Sequence, residues 1–302
     1  MSAPINGILP VLPTPFTAAG DVDLEAMVRL VDYACRSGVD GVVFPGFASE
    51  VEHLTGEERQ ALLERVVRTA GANMQVVAGA SAETPAAVIA YGKGAHSLGV
   101  NWLMIQPPKS LGSGAAEVID FLQEVTAQLP DARIILQNAP APRGSDLSPE
   151  TILKIAEAVP QIGYVKEETL PAGPAITAIL KGKPQNLLGV IGGGGARYIL
   201  DEYERGACAA MPAIEIAEEH VALDTAWRTG DRPAARDLYV RTLPLLTLQA
   251  IYRMRLTKHA MVRRGILENA VVRAPTPELD EFATADIDAN LAELGIIDAV
   301  SA

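Results

Sequence analysis

A lysine and a glutamate two residues apart offer the clearest chemistry in this sequence. Lys166 ends a short apolar run that begins at Ile162, and Glu168 follows it after one further glutamate, Glu167. Such a run predicts a buried strand, where desolvation disfavours the ammonium form and makes the amine a usable nucleophile toward a carbonyl. Residues i and i+2 of a strand share a face, so Glu168 is expected beside the amine. Two alternatives stay open: the ammonium reaches water, or it pairs with a neighbouring glutamate.

The positions of Lys166 and Glu168 depend on the strands around them. Apolar runs spaced roughly thirty residues apart predict eight strands. Each run is rich in Val, Ile, Leu or Ala and lacks strict polar alternation, as is typical of parallel strands covered on both faces. The runs are Gly7–Phe16, Gly41–Gly46, Met74–Ala80, Trp102–Pro107, Arg133–Asn138, Gly163–Lys166, Leu187–Ile191 and Ala207–Met211.

Helix signals lie between these runs. The residues from Thr55 to Glu58 fit a capping box, and Ser148 precedes a proline at a first helical position. Alternating strands and helices predict an α/β fold, a (β/α)8 TIM barrel over residues 1–225. Residues 226–302 lack strand signals and predict a C-terminal helical extension. A doubly wound open sheet is the alternative, but no Gly-x-Gly-x-x-Gly follows the first run to support it.

Composition narrows the function classes. The chain has 302 residues, 49% of them hydrophobic, and a net charge of −12, and it has no basic run, which argues against a nucleic-acid partner. No apolar stretch reaches transmembrane length, so no membrane partner is expected. Residues 1–7 lack a signal-peptide pattern, and Cys35 and Cys208 are too few for a disulfide framework. These features predict a cytoplasmic protein.

Unusual residues gather where the predicted strands end. Active sites of such barrels lie at the carboxyl ends of the strands, because the following loops meet there. The second run leads into a small-residue loop that ends in Glu50, and the fifth ends in Gln137 and Asn138. Four glycines, Gly192–Gly195, follow the seventh run. They fit either a phosphate cradle or a tight turn that lets the backbone approach a substrate closely.

These motifs, in their order along the chain, make it resemble a known superfamily. The motifs are Thr14-Pro15-Phe16, the loop ending in Glu50, Asn138-x-Pro140, Lys166 and the segment Lys258–Gly265. The chain resembles, over nearly its whole length, the dihydrodipicolinate synthase/N-acetylneuraminate lyase superfamily of class I aldolases and dehydratases. The resemblance implies a Schiff base between Lys166 and a small-molecule 2-oxo acid, with no metal and no organic cofactor. It also implies a homotetramer or homodimer.

The sequence departs from the synthase pattern at the positions that carry its proton chemistry. The two threonines of the synthase loop are absent, since the corresponding residues are Phe47, Ala48 and Ser49. The tyrosine expected before Asn138 is replaced by Gln137, and a neutral amide cannot shuttle a proton as a phenol can. The departures point instead to the branch that dehydrates 2-keto-3-deoxy sugar acids, nearest to the 2-keto-3-deoxy-L-arabonate type.

The expected catalytic residues are Lys166, Glu168 and Gln137. Glu168, in a partly apolar pocket, is expected to have a raised pKa and to act as acid or base near neutral pH. Gln137 would orient a hydroxyl or a water. The alternatives are a solvated or lysine-paired carboxylate for Glu168 and a core amide for Gln137. Arg143 fits a surface position better than an entrance site for a distal carboxylate.

Substrate contacts are expected from several strand ends. Ser49 and the backbone N–H groups of the turn that follows Gly46 would hold the substrate carboxylate, whereas Glu50 would orient that loop from below. The predicted substrate-binding residues are Ser49, Ala48, Phe47, Asn138, Gly193 and Cys208. The four histidines show no metal-ligand spacing.

Three functions follow from this reading. The leading one is a Schiff-base dehydratase of a 2-keto-3-deoxy sugar acid. The second is a pyruvate-dependent aldolase that cleaves or forms a 2-oxo-4-hydroxy acid. The third is a barrel that binds a 2-oxo acid without turnover.

Overall fold

A computed structural model describes residues 4–72 and 74–298, and within them it contains eight strands and eleven α-helices. The strands are β1 (Gly7–Ile8), β2 (Gly41–Phe44), β3 (Gln75–Gly79), β4 (Trp102–Ile105), β5 (Arg133–Asn138), β6 (Ile162–Glu167), β7 (Gly189–Gly192) and β8 (Ala209–Ala210). The helices are α1 (Leu24–Arg36), α2 (Gly56–Ala70), α3 (Pro85–Ser97), α4 (Ala115–Gln128), α5 (Pro149–Ala158), α6 (Ala172–Gly182), α7 (Ile199–Glu204), α8 (Ala217–Arg228), α9 (Arg232–Tyr252), α10 (Met254–Arg263) and α11 (Glu281–Glu293).

The strands form one sheet in which sequence neighbours are also spatial neighbours. The order is β1-β8-β7-β6-β5-β4-β3-β2, and β3 to β8 pair in parallel. Just after β1, Val11 forms parallel bridges with both Val43 and Ala213. The order has no reversal point, which excludes a doubly wound sheet. The predicted α/β class and (β/α)8 barrel are confirmed.

Each predicted run overlaps one strand, but the first strand is much shorter than its run. Only Gly7 and Ile8 form a ladder, although the apolar run continues to Phe16. Pro10, Pro13 and Pro15 interrupt it, because proline has no N–H group to donate to a neighbouring strand.

The chain forms two compact units. The first contains residues 4–6, Val76–Gly194 and Tyr198–Met211, and the second contains Gly7–Gln75, Gly195–Arg197 and residues 212–298. Strands β4 to β8 belong to the first unit, whereas β1, β2 and helices α8 to α11 belong to the second. In the described residues after 225 the chain is helical and has no strand. None of the helices in the described residues combines the length and hydropathy needed to cross a bilayer.

The helices begin where the sequence predicts their caps. The Thr55 side chain accepts a hydrogen bond from Glu58 N at 3.1 Å, and the Glu58 carboxylate accepts one from Thr55 N at 2.9 Å. At α5, Ser148 Oγ accepts from Thr151 N at 3.2 Å, and Pro149 occupies the first turn. These bonds satisfy first-turn N–H groups that have no acceptor within the helix. They fix the first residue of each of these two helices.

Strand β6, which carries Lys166, is held by aromatic packing on one face. The rings of Trp102 on β4 and Tyr164 on β6 lie 5.1 Å apart at their centroids. Gly163, next to Tyr164 on β6, leaves no room for a side chain, since a Cβ atom there would lie 2.7 Å from Trp102 Cη2. A glycine therefore permits the close approach of β6 to the indole.

We expect Gly163→Ala to lower the free energy of unfolding by about 1–3 kcal/mol, because the added methyl group overpacks the indole. Urea denaturation would measure the loss. The same substitution in a Trp102→Phe background should cost less, since phenylalanine lacks the crowded ring atoms. Equal costs in the two backgrounds would show that the indole contact does not explain the glycine.

Candidate active site

Four polar side chains meet at the carboxyl ends of β5 and β6, and we call them the Lys166 cluster: Lys166, Glu168, Gln137 and Arg143. Gln137 and Lys166 are register partners across the two strands. Lys166 Nζ lies 2.7 Å from Glu168 Oε1, and Gln137 Nε2 donates to the same oxygen at 3.0 Å. Arg143 Nη2 donates to Glu168 Oε2. Lys166, Glu168 and Gln137 are all buried, so Glu168 receives its donors largely away from water.

The charges of this cluster reverse the expected behaviour of Glu168. Burial alone would raise the pKa of its carboxyl group, as the sequence led us to expect. The charges of Lys166 and Arg143 and their hydrogen bonds outweigh burial and lower the pKa of Glu168 to about 2. The expectation of a raised pKa is therefore wrong. In the free protein Glu168 is a carboxylate that can accept a proton but has none to give.

Arg143 is the residue whose position the sequence did not indicate. We expected a surface arginine, but its guanidinium reaches Glu168 and its side chain is only 26% exposed. Gln106 Nε2 donates to Arg143 O at 3.0 Å and holds the backbone of the loop after β5. Nothing in the residue spacing marks this contact, because it depends on the path of an irregular loop.

The next residues on both strands face the other way and build a second network. Asn138 Nδ2 donates to Glu167 Oε2 at 3.0 Å and to Leu147 O at 3.0 Å, while Asn138 Oδ1 accepts from Leu147 N at 2.9 Å. Glu167 Oε1 also accepts from Thr169 N at 2.8 Å and from the Thr169 hydroxyl at 2.5 Å. Burial raises the pKa of Glu167 despite these donors. Asn138, a predicted substrate contact, is not brought to the Lys166 cluster and instead orders the loops after β5 and β6.

Two consecutive glycines at the end of β7 make room for two carboxyl groups. A Cβ atom on Gly193 would lie 2.4 Å from Glu168 Cγ, and one on Gly192 would lie 2.0 Å from Glu202 Oε2. Gly193 is thus placed against the cluster, and the glycine run allows close approach. Burial, with a smaller contribution from the charge of Glu168, raises the pKa of Glu202 to about 8. Glu202, which sequence inspection did not single out, is mainly uncharged at neutral pH.

Cys208, another predicted substrate contact, lies one layer below the cluster. Its thiol donates to Val190 O at 3.3 Å, and a Cβ atom on Gly189 would be 2.8 Å from its sulfur. Gly189 pairs with Tyr164, whereas Lys166 pairs with Ile191 further along the strands. The structure does not bring Cys208 to the Lys166 cluster.

The remaining predicted contacts lie in the second unit, in a short 3-10 helix from Phe47 to Ser49. The buried Ser49 hydroxyl donates to Leu12 O at 2.5 Å and accepts from Gly46 N at 2.9 Å. Thr14 Oγ1 donates to Ser49 O at 2.6 Å. The hydroxyl hydrogen of Ser49 is therefore engaged in holding the loop. Among the described residues, no group of three or more His, Cys, Asp or Glu side chains is placed to hold a metal ion.

Comparison with known proteins assigns the chain to a family. The model of the Dihydrodipicolinate synthetase family matches residues 4–294. The chain belongs to this family. Members of the Dihydrodipicolinate synthetase family are lyases, so the chain is an enzyme of that general type.

Individual family members show different activities. The chain is 27% identical to the L-2-keto-3-deoxyarabonate dehydratase of Azospirillum brasilense, over 93% of this chain and 92% of that protein. It is 32% identical to the 4-hydroxy-tetrahydrodipicolinate synthase of Moorella thermoacetica, over 79% and 80%. Among solved structures, dihydrodipicolinate synthase from Rhodopseudomonas palustris superposes with a TM-score of 0.89 at 26% identity, covering 96% of this chain and 97% of that one.

We expect Glu168→Gln to lower the free energy of unfolding at pH 7 by about 3–5 kcal/mol, because Lys166 and Arg143 lose a buried counter-charge. A carboxyl with a depressed pKa stabilises the fold above its unfolded value of 4.5, and this stability is lost as the pH falls toward about 2. The difference between wild type and variant should therefore shrink across that interval. Chemical denaturation at a series of pH values would measure it.

A matched control is Glu64→Gln, which removes an exposed ion pair with Arg68. We expect it to change the unfolding free energy by less than about 1 kcal/mol. A Glu168→Gln variant that behaves like this control would refute the buried charge cluster.

Proposed function

We propose that the chain is a Schiff-base hydro-lyase that dehydrates a 2-keto-3-deoxy sugar acid, with the 2-keto-3-deoxy-L-arabonate type as the leading substrate. The observation that supports it is a buried lysine whose neighbouring proton acceptor is a carboxylate, Glu168, and whose strand-5 neighbour is an amide, Gln137. Similarity to the dehydratase of A. brasilense over nearly both full lengths supports the same class. We further propose a cytoplasmic homotetramer or homodimer without metal or organic cofactor.

The first step joins Lys166 to the substrate. The amine attacks the C2 carbonyl of the 2-oxo acid, and loss of water gives a protonated imine. Glu168 Oε1, 2.7 Å from Nζ, accepts the proton that the ammonium must lose and returns it to the carbinolamine hydroxyl, which leaves as water. Burial of both groups keeps competing water from the imine once it has formed.

The second step uses Glu168 as a base. The protonated imine keeps a positive charge beside Glu168, so the carboxylate stays ionised and able to act as a base. Arg143 and Gln137 still hold its two oxygens and keep it oriented. The imine withdraws electrons from C3, and Glu168 accepts a C3 proton, which leaves an enamine.

The third step expels the C4 hydroxyl. Glu168, now protonated, returns its proton to the departing hydroxyl, so one water is released and the base is regenerated. Two proton shifts, from C5 and from its hydroxyl to C3 and C4, then convert the unsaturated imine to the tautomer that bears an aldehyde at C5. Hydrolysis frees Lys166 and releases 2-oxoglutarate semialdehyde. Gln137 cannot transfer a proton, and its role is to hold Glu168.

Substrate orientation is proposed to come from the predicted contact residues. Phe47, Ala48 and Ser49 are proposed to contact the substrate. The absence of a side chain at Gly193 lets Glu168 take its place beside Lys166.

We expect borohydride reduction in the presence of pyruvate to add a three-carbon adduct to Lys166, found by peptide mass spectrometry. A racemic 2-keto-3-deoxypentonate should give 2-oxoglutarate semialdehyde without pyruvate. Lys166→Met should abolish both reactions, whereas a matched Lys109→Met variant, altered outside the Lys166 cluster, should retain them.

The alternatives give different products. Release of pyruvate from the pentonate would favour the aldolase, and binding without an adduct on Lys166 would favour a non-catalytic 2-oxo acid barrel. Either result would refute the dehydratase.

Arg143→Met provides a pH test of the base. Removing the guanidinium should raise the pKa of Glu168 toward its ordinary value of 4.5 and move the acid limb of kcat/KM upward by about one to two pH units. The control Arg68→Met, which removes an exposed ion pair, should leave the limb unchanged. An unshifted limb in Arg143→Met would show that Glu168 does not control the acid side of the profile.

A further inference from the structure

A buried lysine that takes no part in the proposed chemistry lies in the second unit. Lys258, on α10, is fully buried, and its Nζ donates to Glu50 Oε1 at 2.6 Å and to Val271 O at 2.6 Å. The ammonium also lies 4.2 Å from the centroid of the Phe16 ring. Lysine is rarely buried in this way unless it is paired, so this placement calls for a physical reason.

The partner carboxylate connects two distant segments of the chain. Glu50 Oε2 accepts hydrogen bonds from Arg273 N and Ala274 N, each at 2.7 Å. Glu50 follows directly on the helix Phe47–Ser49 and has a left-handed backbone conformation with φ of +58°. We call Glu50, Lys258 and residues 271–274 the C-terminal clasp.

Arg273 extends the clasp along the same loop. Its guanidinium donates to both carboxylate oxygens of Glu58, to His53 O at 3.0 Å and to Gly20 O at 2.9 Å. The segment after α10 therefore touches the chain on both sides of Glu50, and the loop is restrained at several points.

Stability alone does not account for the buried pair. Desolvation lowers the pKa of Lys258 to about 8 even though Glu50 favours the charged form. The folded state therefore disfavours the ammonium, and a well-packed apolar pair would serve stability as well or better. What the ion pair does provide is a single direction for the Glu50 carboxylate.

We propose that Lys258 is a positioning residue that, through Glu50, holds the Phe47–Ser49 turn, a proposed substrate contact, in a single conformation. The part of this inference that concerns substrate rests on the proposed function. The part that concerns loop order does not. Loss of the clasp should weaken capture of a 2-oxo acid more than it slows later chemical steps.

Two variants and one control test the inference. Lys258→Met removes the ammonium, while Glu50→Gln keeps an oxygen for the Arg273 and Ala274 amides and removes the charge. Glu278→Gln is the matched control, because it removes one carboxylate from an ion pair with Arg255 at an exposed position of the same C-terminal region.

Hydrogen exchange and pyruvate trapping are the two measurements. In the free enzyme, both clasp variants should speed amide exchange in peptides that cover residues 47–53 by about tenfold, with exchange in β6 unchanged. The pyruvate concentration for half-maximal borohydride trapping at Lys166 should rise about tenfold or more, with the final extent of trapping preserved. The control should change neither.

The outcomes separate this inference from the proposed function. Wild-type protein that is not trapped by pyruvate would refute the Schiff-base proposal. The exchange data would still test whether the clasp orders residues 47–53. Unchanged exchange in residues 47–53, or exchange that rises equally throughout the protein, would overturn the positioning role. Faster loop exchange with an unchanged half-maximal pyruvate concentration would also overturn it. If Lys258→Met fails to fold, Glu50→Gln decides by the same criteria.

Discussion

The contact between Lys166 and Glu168 is the constraint around which the first unit is organised. The cost of burying an ammonium and a carboxylate is offset only when the two groups pair at hydrogen-bond distance, so both side chains must be held in place. Arg143 and Gln137 supply the further donors that the carboxylate needs. The glycine at position 193 is a second consequence, because any side chain there would occupy the space of Glu168.

Alternation along β5 and β6 places the residues of the proposed reaction and the residues that order the loops on opposite faces of the sheet. Gln137 and Lys166 share one face of neighbouring strands, and the next residues, Asn138 and Glu167, share the other. Lys166 and Gln137 belong to the cluster that carries the proposed reaction, whereas Asn138 and Glu167 form hydrogen bonds that order the loops after β5 and β6. A one-residue slip of β6 would exchange these roles and place an amine among loop-ordering hydrogen bonds.

Sequence patterns predicted what depends on short-range periodicity. The apolar runs gave each strand, and the period of two placed Glu168 beside Lys166. The pKa direction of Glu168 was not predictable, because it depends on Arg143, which an irregular loop brings back to the strand end. The clasp was equally hidden, since Glu50 and Lys258 are separated by 208 positions. The sequence located Asn138 and Cys208 in strand segments, but it could not show that their side chains lie away from Lys166. That depends on the register between neighbouring strands.

The charge count of the Lys166 cluster has a consequence for how an anion reaches it. Lys166 and Arg143 contribute two positive charges against one negative charge on Glu168, a sum of +1 inside a chain whose net charge is −12. Glu202 adds little negative charge at neutral pH, because its carboxyl is mainly protonated. The acidic exterior repels an anionic metabolite at long range, whereas the interior attracts it over the last few ångströms. Added salt should therefore weaken the outer repulsion more than the inner attraction, so that the proposed anionic substrate is captured faster in a saline medium than in a dilute one.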